Sequence, residues 1–115
     1  MSNIFYHNPR CTKSRQALAL LEARNIDIDL RYYLKDGINS NDVIELSQKL
    51  DLHPNEFVRK KEPVYKKYST DEFSLEEWSK IIENNPILLE RPILIVGEKA
   101  IIGRPPENVL KLLSS

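Results

Sequence analysis

The first third of the chain switches between two apolar periods, and this switch restricts its fold more than any other feature. Ile4-Phe5-Tyr6-His7 is a short apolar run that Asn8-Pro9 interrupts. From about Thr12, Ala17, Leu18 and Leu21 recur at helical spacing, with Ser14 one turn earlier on the same face. Arg24-Asn25 ends that segment. Ile26, Ile28, Leu30 and Tyr32 then alternate with Asp27, Asp29 and Arg31, the period-two mark of a strand. The strand-helix-strand crossover is long enough to set the two strands parallel.

The middle of the chain reads as helical. Val43, Ile44, Leu46 and Leu50 line one face of a helix from about Asn41, with Ser40 or Asn41 as its cap. Pro54 suits the first turn of a short helix over 53–60. Ser74-Leu75-Glu76-Glu77 matches a capping box, and Trp78, Ile81 and Ile82 give the following helix its apolar side. Asn84-Asn85-Pro86 stops it. Ile93–Val96 is a buried-strand run, Gly97-Glu98-Lys99 a short turn, and 100–102 a second strand, together a hairpin. Pro105-Pro106 opens a last helix carrying Val109, Leu110, Leu112 and Leu113. The expected architecture is a single α/β domain over 1–115, with a helical insertion at about 35–90.

A chain of 115 residues can build one core without covalent staples. Its 17 basic and 17 acidic side chains cancel, which argues against a bulk nucleic-acid binder or a polybasic membrane-surface protein. Cys11 is the one cysteine, so no intrachain disulfide forms. With His7 and His53 it is too sparse for a Cys-rich zinc site, and no metal is expected. No apolar run approaches a membrane span. The N-terminus lacks the basic and apolar regions of a signal peptide, so the expected location is cytoplasmic. A monomer is the expected form.

Cys11 is the strongest chemical signal. It lies between a strand and a helix, where the macrodipole and unpaired N–H groups favour thiolate over thiol. Arg10, Lys13 and Arg15 add positive charge close by in sequence. Together these predict a depressed thiol pKa and an anion-attracting cradle. That combination suggests thiolate attack on a tetrahedral oxyanion or on a sulfur electrophile. A cysteine phosphatase loop needs Arg six residues after the Cys, and that position is Ala17. A lone Cys also has a plain reading as a small core residue.

His7-Asn8-Pro9-Arg10-Cys11-Thr12-Lys13-Ser14-Arg15 resembles the signature of the glutaredoxin-coupled arsenate reductase (ArsC) family, which shares its thioredoxin-like fold with the Spx regulators. Tyr32-Tyr33-Leu34, Val58-Arg59-Lys60, Asn85-Pro86-Ile87-Leu88, Glu90-Arg91-Pro92-Ile93 and Ile102-Gly103-Arg104-Pro105-Pro106-Glu107 extend the resemblance across the chain. It implies that Cys11 is the nucleophile forming an arseno-thioester. It implies that Arg59, Arg91 and Arg104 surround the oxyanion and that His7 and Ser14 tune the thiolate, to which Arg15 contributes by its nearby charge. Pro92 falls where such folds carry a cis-proline. Each arginine taken singly also reads as an ordinary charged position.

Reducing As(V) to As(III) takes two electrons, and this chain has one thiol. The remaining thiols come from outside. The resemblance names glutathione as co-substrate and glutaredoxin as partner, with no bound cofactor. Where the well-known reductases of the family have Gly after the Cys, this chain has Thr12 and then Lys13. Two other functions stay open: a general glutathione-dependent thiol oxidoreductase, and an Spx-like regulator that binds RNA polymerase. The Cys-x-x-Cys switch of the latter is excluded, because the fourth position is Ser14.

Overall fold

The structure is a computed structural model and describes residues 3–113. Two compact units divide the chain. One combines Met1–Asp36 with Arg91–Ser115, and the other is Gly37–Glu90.

The first unit is built on a four-stranded mixed sheet ordered β2-β1-β3-β4. Strand β1 (Asn3–Tyr6) leads through a loop into helix α1 (Thr12–Ala23), and β2 (Ile28–Arg31) returns parallel to β1. Leu30 pairs with Phe5 in that register. The alternating segment is thus shorter than its pattern. A single helical turn, α2 (Tyr33–Asp36), begins just after it. Strands β3 (Ile93–Val96) and β4 (Lys99–Ile102) form the expected antiparallel hairpin, and β3 also lies antiparallel to β1. The connecting turn is two residues, Gly97-Glu98, and Gly97 takes φ +62°, as such tight hairpin turns require. Lys99 therefore belongs to the strand.

Helix α1 buries Ser14, Ala17 and Leu21, one stripe of its surface. That stripe meets Phe5 and Leu94 from the sheet and Val109 from the C-terminal segment, and all three are fully buried. The last helix is a 3₁₀ segment, Pro106–Leu112, instead of an α-helix. α1 ends at Arg24, and Asn25 turns the chain with φ +56°. Asn tolerates that left-handed conformation better than most residues.

In the second unit, α3 (Ser40–Leu50) packs on α4 (Leu75–Asn84). Their buried faces carry Val43 and Leu46 on one side and Trp78 and Ile82 on the other. The cap of α3 is Asn39, not Ser40 or Asn41. Asn39 Oδ1 accepts from the Asp42 amide at 2.8 Å, and Asp42 Oδ2 accepts from the Asn39 amide at 3.2 Å. Ser74 and Glu77 make the expected reciprocal box on α4. The helix expected over 53–60 is only a 3₁₀ turn, Pro54–Glu56, capped by His53. The chain leaves it because Val58 bridges Leu89 and the Arg59 amide donates to the Leu88 carbonyl at 2.7 Å. Among the described residues no helix is long and apolar enough to cross a membrane.

Truncating Leu94, fully buried at the centre of the first unit's core, is expected to cost about 2–5 kcal/mol. Ser74→Ala on the exposed cap of α4 is expected to cost about 1 kcal/mol. Urea unfolding of the two variants checks both the size and the order.

Candidate active site

The sheet register assembles the site. β3 pairs with β4 as Ile93↔Ile102. Continuing that antiparallel register by two residues sets Arg91 opposite Arg104. The Arg104 Nε donates to the Arg91 carbonyl at 2.7 Å, and the Gly103 amide donates to the Pro92 carbonyl at 2.8 Å. The Arg91–Pro92 and Arg104–Pro105 peptide bonds are both cis. Gly103 is needed for this close approach. A Cβ there would stand 2.7 Å from Pro92 Cγ and 3.0 Å from Val109 Cγ1. On the other side, β1 pairs Tyr6 with Ile93, so the loop leaving β1 emerges beside Arg91.

That loop carries Cys11. The Cys11 amide donates to the Asn8 carbonyl at 3.0 Å, and the Arg10 amide donates to Asn8 Oδ1 at 3.1 Å. Asn8 is buried and so fixes the turn from inside. In the sequence it reads as a strand breaker and as one residue of the 7–15 signature, with no role of its own. Cys11 is the N-cap residue of α1, with extended backbone angles, and it is partly buried. Its thiol makes no formal cap hydrogen bond.

Burial alone pushes the Cys11 thiol pKa up. The Ser14 backbone amide, a hydrogen bond from Arg91 and the charges of Arg91 and Arg104 outweigh it, and the net shift is downward. Arg104 Nη2 stands 3.6 Å from the sulfur. Arg91 is 8% exposed, and its Nε and Nη1 are buried without a hydrogen-bond partner. Buried, charged donors left unsatisfied are expensive, and they are the groups an anionic ligand would satisfy.

The local basic cluster acts differently from expectation. Arg10, Lys13 and Arg15 are exposed. The Arg15 guanidinium turns back to donate to the Pro9 carbonyl at 2.9 Å and to Thr12 Oγ1 at 3.2 Å. Its charge bears on His7, not directly on the sulfur. His7 is buried and its pKa is lowered, first by desolvation and then by Arg15, against an opposing pull from Glu22. A neutral imidazole follows near neutral pH. His7 Nδ1 lies 2.7 Å from Ser14 Oγ, which also accepts from the Asn8 amide at 3.1 Å. Ser14 thus ties the loop to the helix.

Arg59 belongs to the second unit. There its Nε pairs with Glu62 at 3.2 Å and its Nη1 with Glu90 at 3.4 Å. His53 serves as a cap, its Nδ1 accepting from the Asn55 amide. In the first unit the structure therefore brings together Cys11, Arg91 and Arg104, with His7 and Ser14 behind the loop.

A parallel β-α-β unit with an antiparallel hairpin added, and a cysteine at the helix N-terminus, defines a thioredoxin-like α/β protein. The sequence profile of the ArsC family matches residues 6–112. An arsenate reductase of Haemophilus influenzae is 42% identical over 116 residues, covering 98% of this chain and 100% of that one. An arsenate reductase of Neisseria meningitidis serogroup A is 38% identical over 111 residues, covering 94% and 95%. The solved structure of an arsenate reductase from Vibrio cholerae matches with a TM-score of 0.91 at 37% identity, covering 96% and 97% of the two chains. This chain belongs to the ArsC family.

Because the shift on Cys11 is downward, its thiolate persists to lower pH than an ordinary thiol's. The rate of alkylation by iodoacetamide against pH is expected to have its midpoint below the usual thiol value. Arg91→Ala should move that midpoint upward, since it removes a hydrogen bond and a charge that favour the anion. An unmoved midpoint would separate Arg91 from thiol activation.

Proposed function

We propose that this protein reduces arsenate, with Cys11 as nucleophile and glutathione and glutaredoxin as electron source. The supporting observation is the pairing of a partly buried sulfur with two guanidiniums, one of which has two buried donors without partners. Planar, permanently charged guanidiniums suit a tetrahedral oxyanion. Thiolate attack on an anion is otherwise repulsive, and the two cations offset that repulsion. The arsenate reductases to which the chain is similar act on the same substrate by name.

The chemistry balances with one protein thiol. Cys11 attacks arsenic, an S–As bond forms, and one oxygen leaves as water after protonation. A glutathione sulfur then joins the two-electron transfer. The S–As bond breaks, Cys11 and glutathione become a mixed disulfide, and arsenic leaves as As(III). A further thiol, delivered by glutaredoxin, reduces that disulfide and restores Cys11. Ser14 occupies the place where a Cys-x-x-Cys protein would keep a resolving thiol, so the resolving sulfur is external.

Arg91 and Arg104 hold the oxyanion in this reading. Arg59 is assigned to the same anion by the sequence motif alone. His7 and Ser14 orient the loop, and Arg15 acts through His7. The protein works as a cytoplasmic monomer with no bound cofactor.

With arsenate, glutathione, glutaredoxin and glutathione reductase, the protein is expected to consume NADPH, and Cys11→Ser to abolish this. Arsenate-independent reduction of a glutathione mixed disulfide, with no arsenate turnover, would sink the reading in favour of a general thiol oxidoreductase. Arg104→Ala should raise the KM for arsenate by about 10- to 100-fold, the worth of a hydrogen bond to a charged group. Steady-state kinetics at varied arsenate measures this.

A further inference from the structure

We propose that Lys13, with Arg10, selects anionic over neutral reactants for Cys11 by steering them electrostatically, a role separate from ionising the sulfur. The steering requires only the sulfur and the charges of the first unit. That the steered anion is arsenate rests on the reading above.

The observation that carries this is the charge pattern of α1. Helix α3 has Asp42 in its first turn and Lys49 in its last, and α4 has Glu76 and Glu77 in its first turn. Both place charge as the helix dipole favours. Helix α1 does the opposite. Its first turn holds no acidic residue and its last turn no basic one. Instead Lys13 and Arg15 lie in the first turn and Glu22 in the last. Each of these charges opposes the dipole and so costs stability.

Neither packing nor pairing accounts for Lys13. The buried stripe of α1 is Ser14, Ala17 and Leu21, and Lys13 is exposed beside it. Gln16 and Ala17, one turn on, carry no charge to pair with it. Among the described residues, neither Lys13 nor Arg10 takes part in an ion pair. Arg15 has a structural task, since its guanidinium is engaged by the Pro9 carbonyl and the Thr12 hydroxyl. What Lys13 and Arg10 add is charge.

That charge reaches the surroundings of the sulfur. Arg10 is one Cα step from Cys11 and Lys13 is two, at most about 7.6 Å. The Debye length at physiological ionic strength is about 8 Å. An anion approaching Cys11 is therefore drawn by both cations and by the N-terminal end of the α1 dipole. Arg91, with Nε and Nη1 buried and unpartnered, offers donors at the end of that approach. The 17 basic and 17 acidic side chains of the whole chain cancel, so the attraction is a local field and not a net-charge effect. The groups that favour the thiolate are the Ser14 amide, Arg91 and Arg104. Ionisation and steering thus fall to different residues.

The test compares two alkylating reagents on the full chain, anionic iodoacetate and neutral iodoacetamide. Both react with the thiolate, so the ratio of their rates cancels the ionisation of Cys11. Lys13→Glu should lower the iodoacetate-to-iodoacetamide ratio about fourfold at an ionic strength of about 0.01 M and about twofold near 0.15 M, as two charge units at roughly 8 Å in water imply. At about 1 M salt, where the Debye length is about 3 Å, the variant and the wild type should coincide. Lys13→Met should give about half the effect on a logarithmic scale, and Arg10→Glu an effect of the same sign. Lys13→Glu also puts an acidic side chain in the first turn of α1, so it should raise the urea midpoint. A ratio unmoved by Lys13→Glu, a change that persists at high salt, or a lowered urea midpoint would overturn the proposal. Salt-sensitive discrimination at Cys11 without arsenate turnover keeps the steering and removes the proposed function. Arsenate turnover whose kcat/KM ignores both salt and Lys13→Glu does the reverse.

Discussion

A sulfur that is easier to ionise than an ordinary thiol, set against two arginines, is the interaction around which the first unit is organised. Arg91 and Arg104 face each other across the open end of a hairpin, joined by a 2.7 Å hydrogen bond from one guanidinium to the other's backbone. Both guanidinium charges act on the Cys11 sulfur and favour its anion. That sulfur stands 3.6 Å from Arg104 Nη2. Burial works against ionisation, and the arginines with the Ser14 amide reverse it. The ionisation of this sulfur is thus set by opposing contributions, with a net direction toward the thiolate.

The polar groups around the sulfur are arranged to hold the loop rigidly. Asn8 accepts at both its carbonyl and its side chain, from Cys11 and Arg10. Ser14 reaches from the first turn of α1 to His7 and to the Asn8 amide. His7 is buried against Phe5 and Tyr32 and stays neutral near neutral pH. A neutral imidazole adds no further positive charge to the loop. The loop thus presents its cysteine through hydrogen bonds, while the charge comes from the neighbouring hairpin.

Much of the fold was legible because its segments are strongly periodic. The parallel strand pair, α1, α4 with its Ser74 box and the β3–β4 hairpin all follow from apolar spacing and turn chemistry. The departures have local causes. Asn39 caps α3 because Asp42, three residues on, completes a reciprocal box that neither Ser40 nor Asn41 completes. The segment after Pro54 leaves helical geometry because Val58 and Arg59 find backbone partners at Leu89 and Leu88. The basic cluster around Cys11 was misleading for a related reason. Closeness in sequence suggested that Arg10, Lys13 and Arg15 act on the sulfur, yet all three are exposed and the Arg15 guanidinium folds back on Pro9 and Thr12.

By itself the sequence determined that one thiol lies at a strand-to-helix junction, that no second cysteine can resolve it, and that the sheet begins with a parallel pair. Those conclusions depend only on residue identity and short-range spacing. The partners of that thiol were decided by tertiary structure. Arg91 and Arg104 are separated from Cys11 by 80 and 93 positions. Only antiparallel pairing of β3 with both β1 and β4 brings them to it. Long-range strand register is set by which apolar faces pack together, and no local pattern encodes the result.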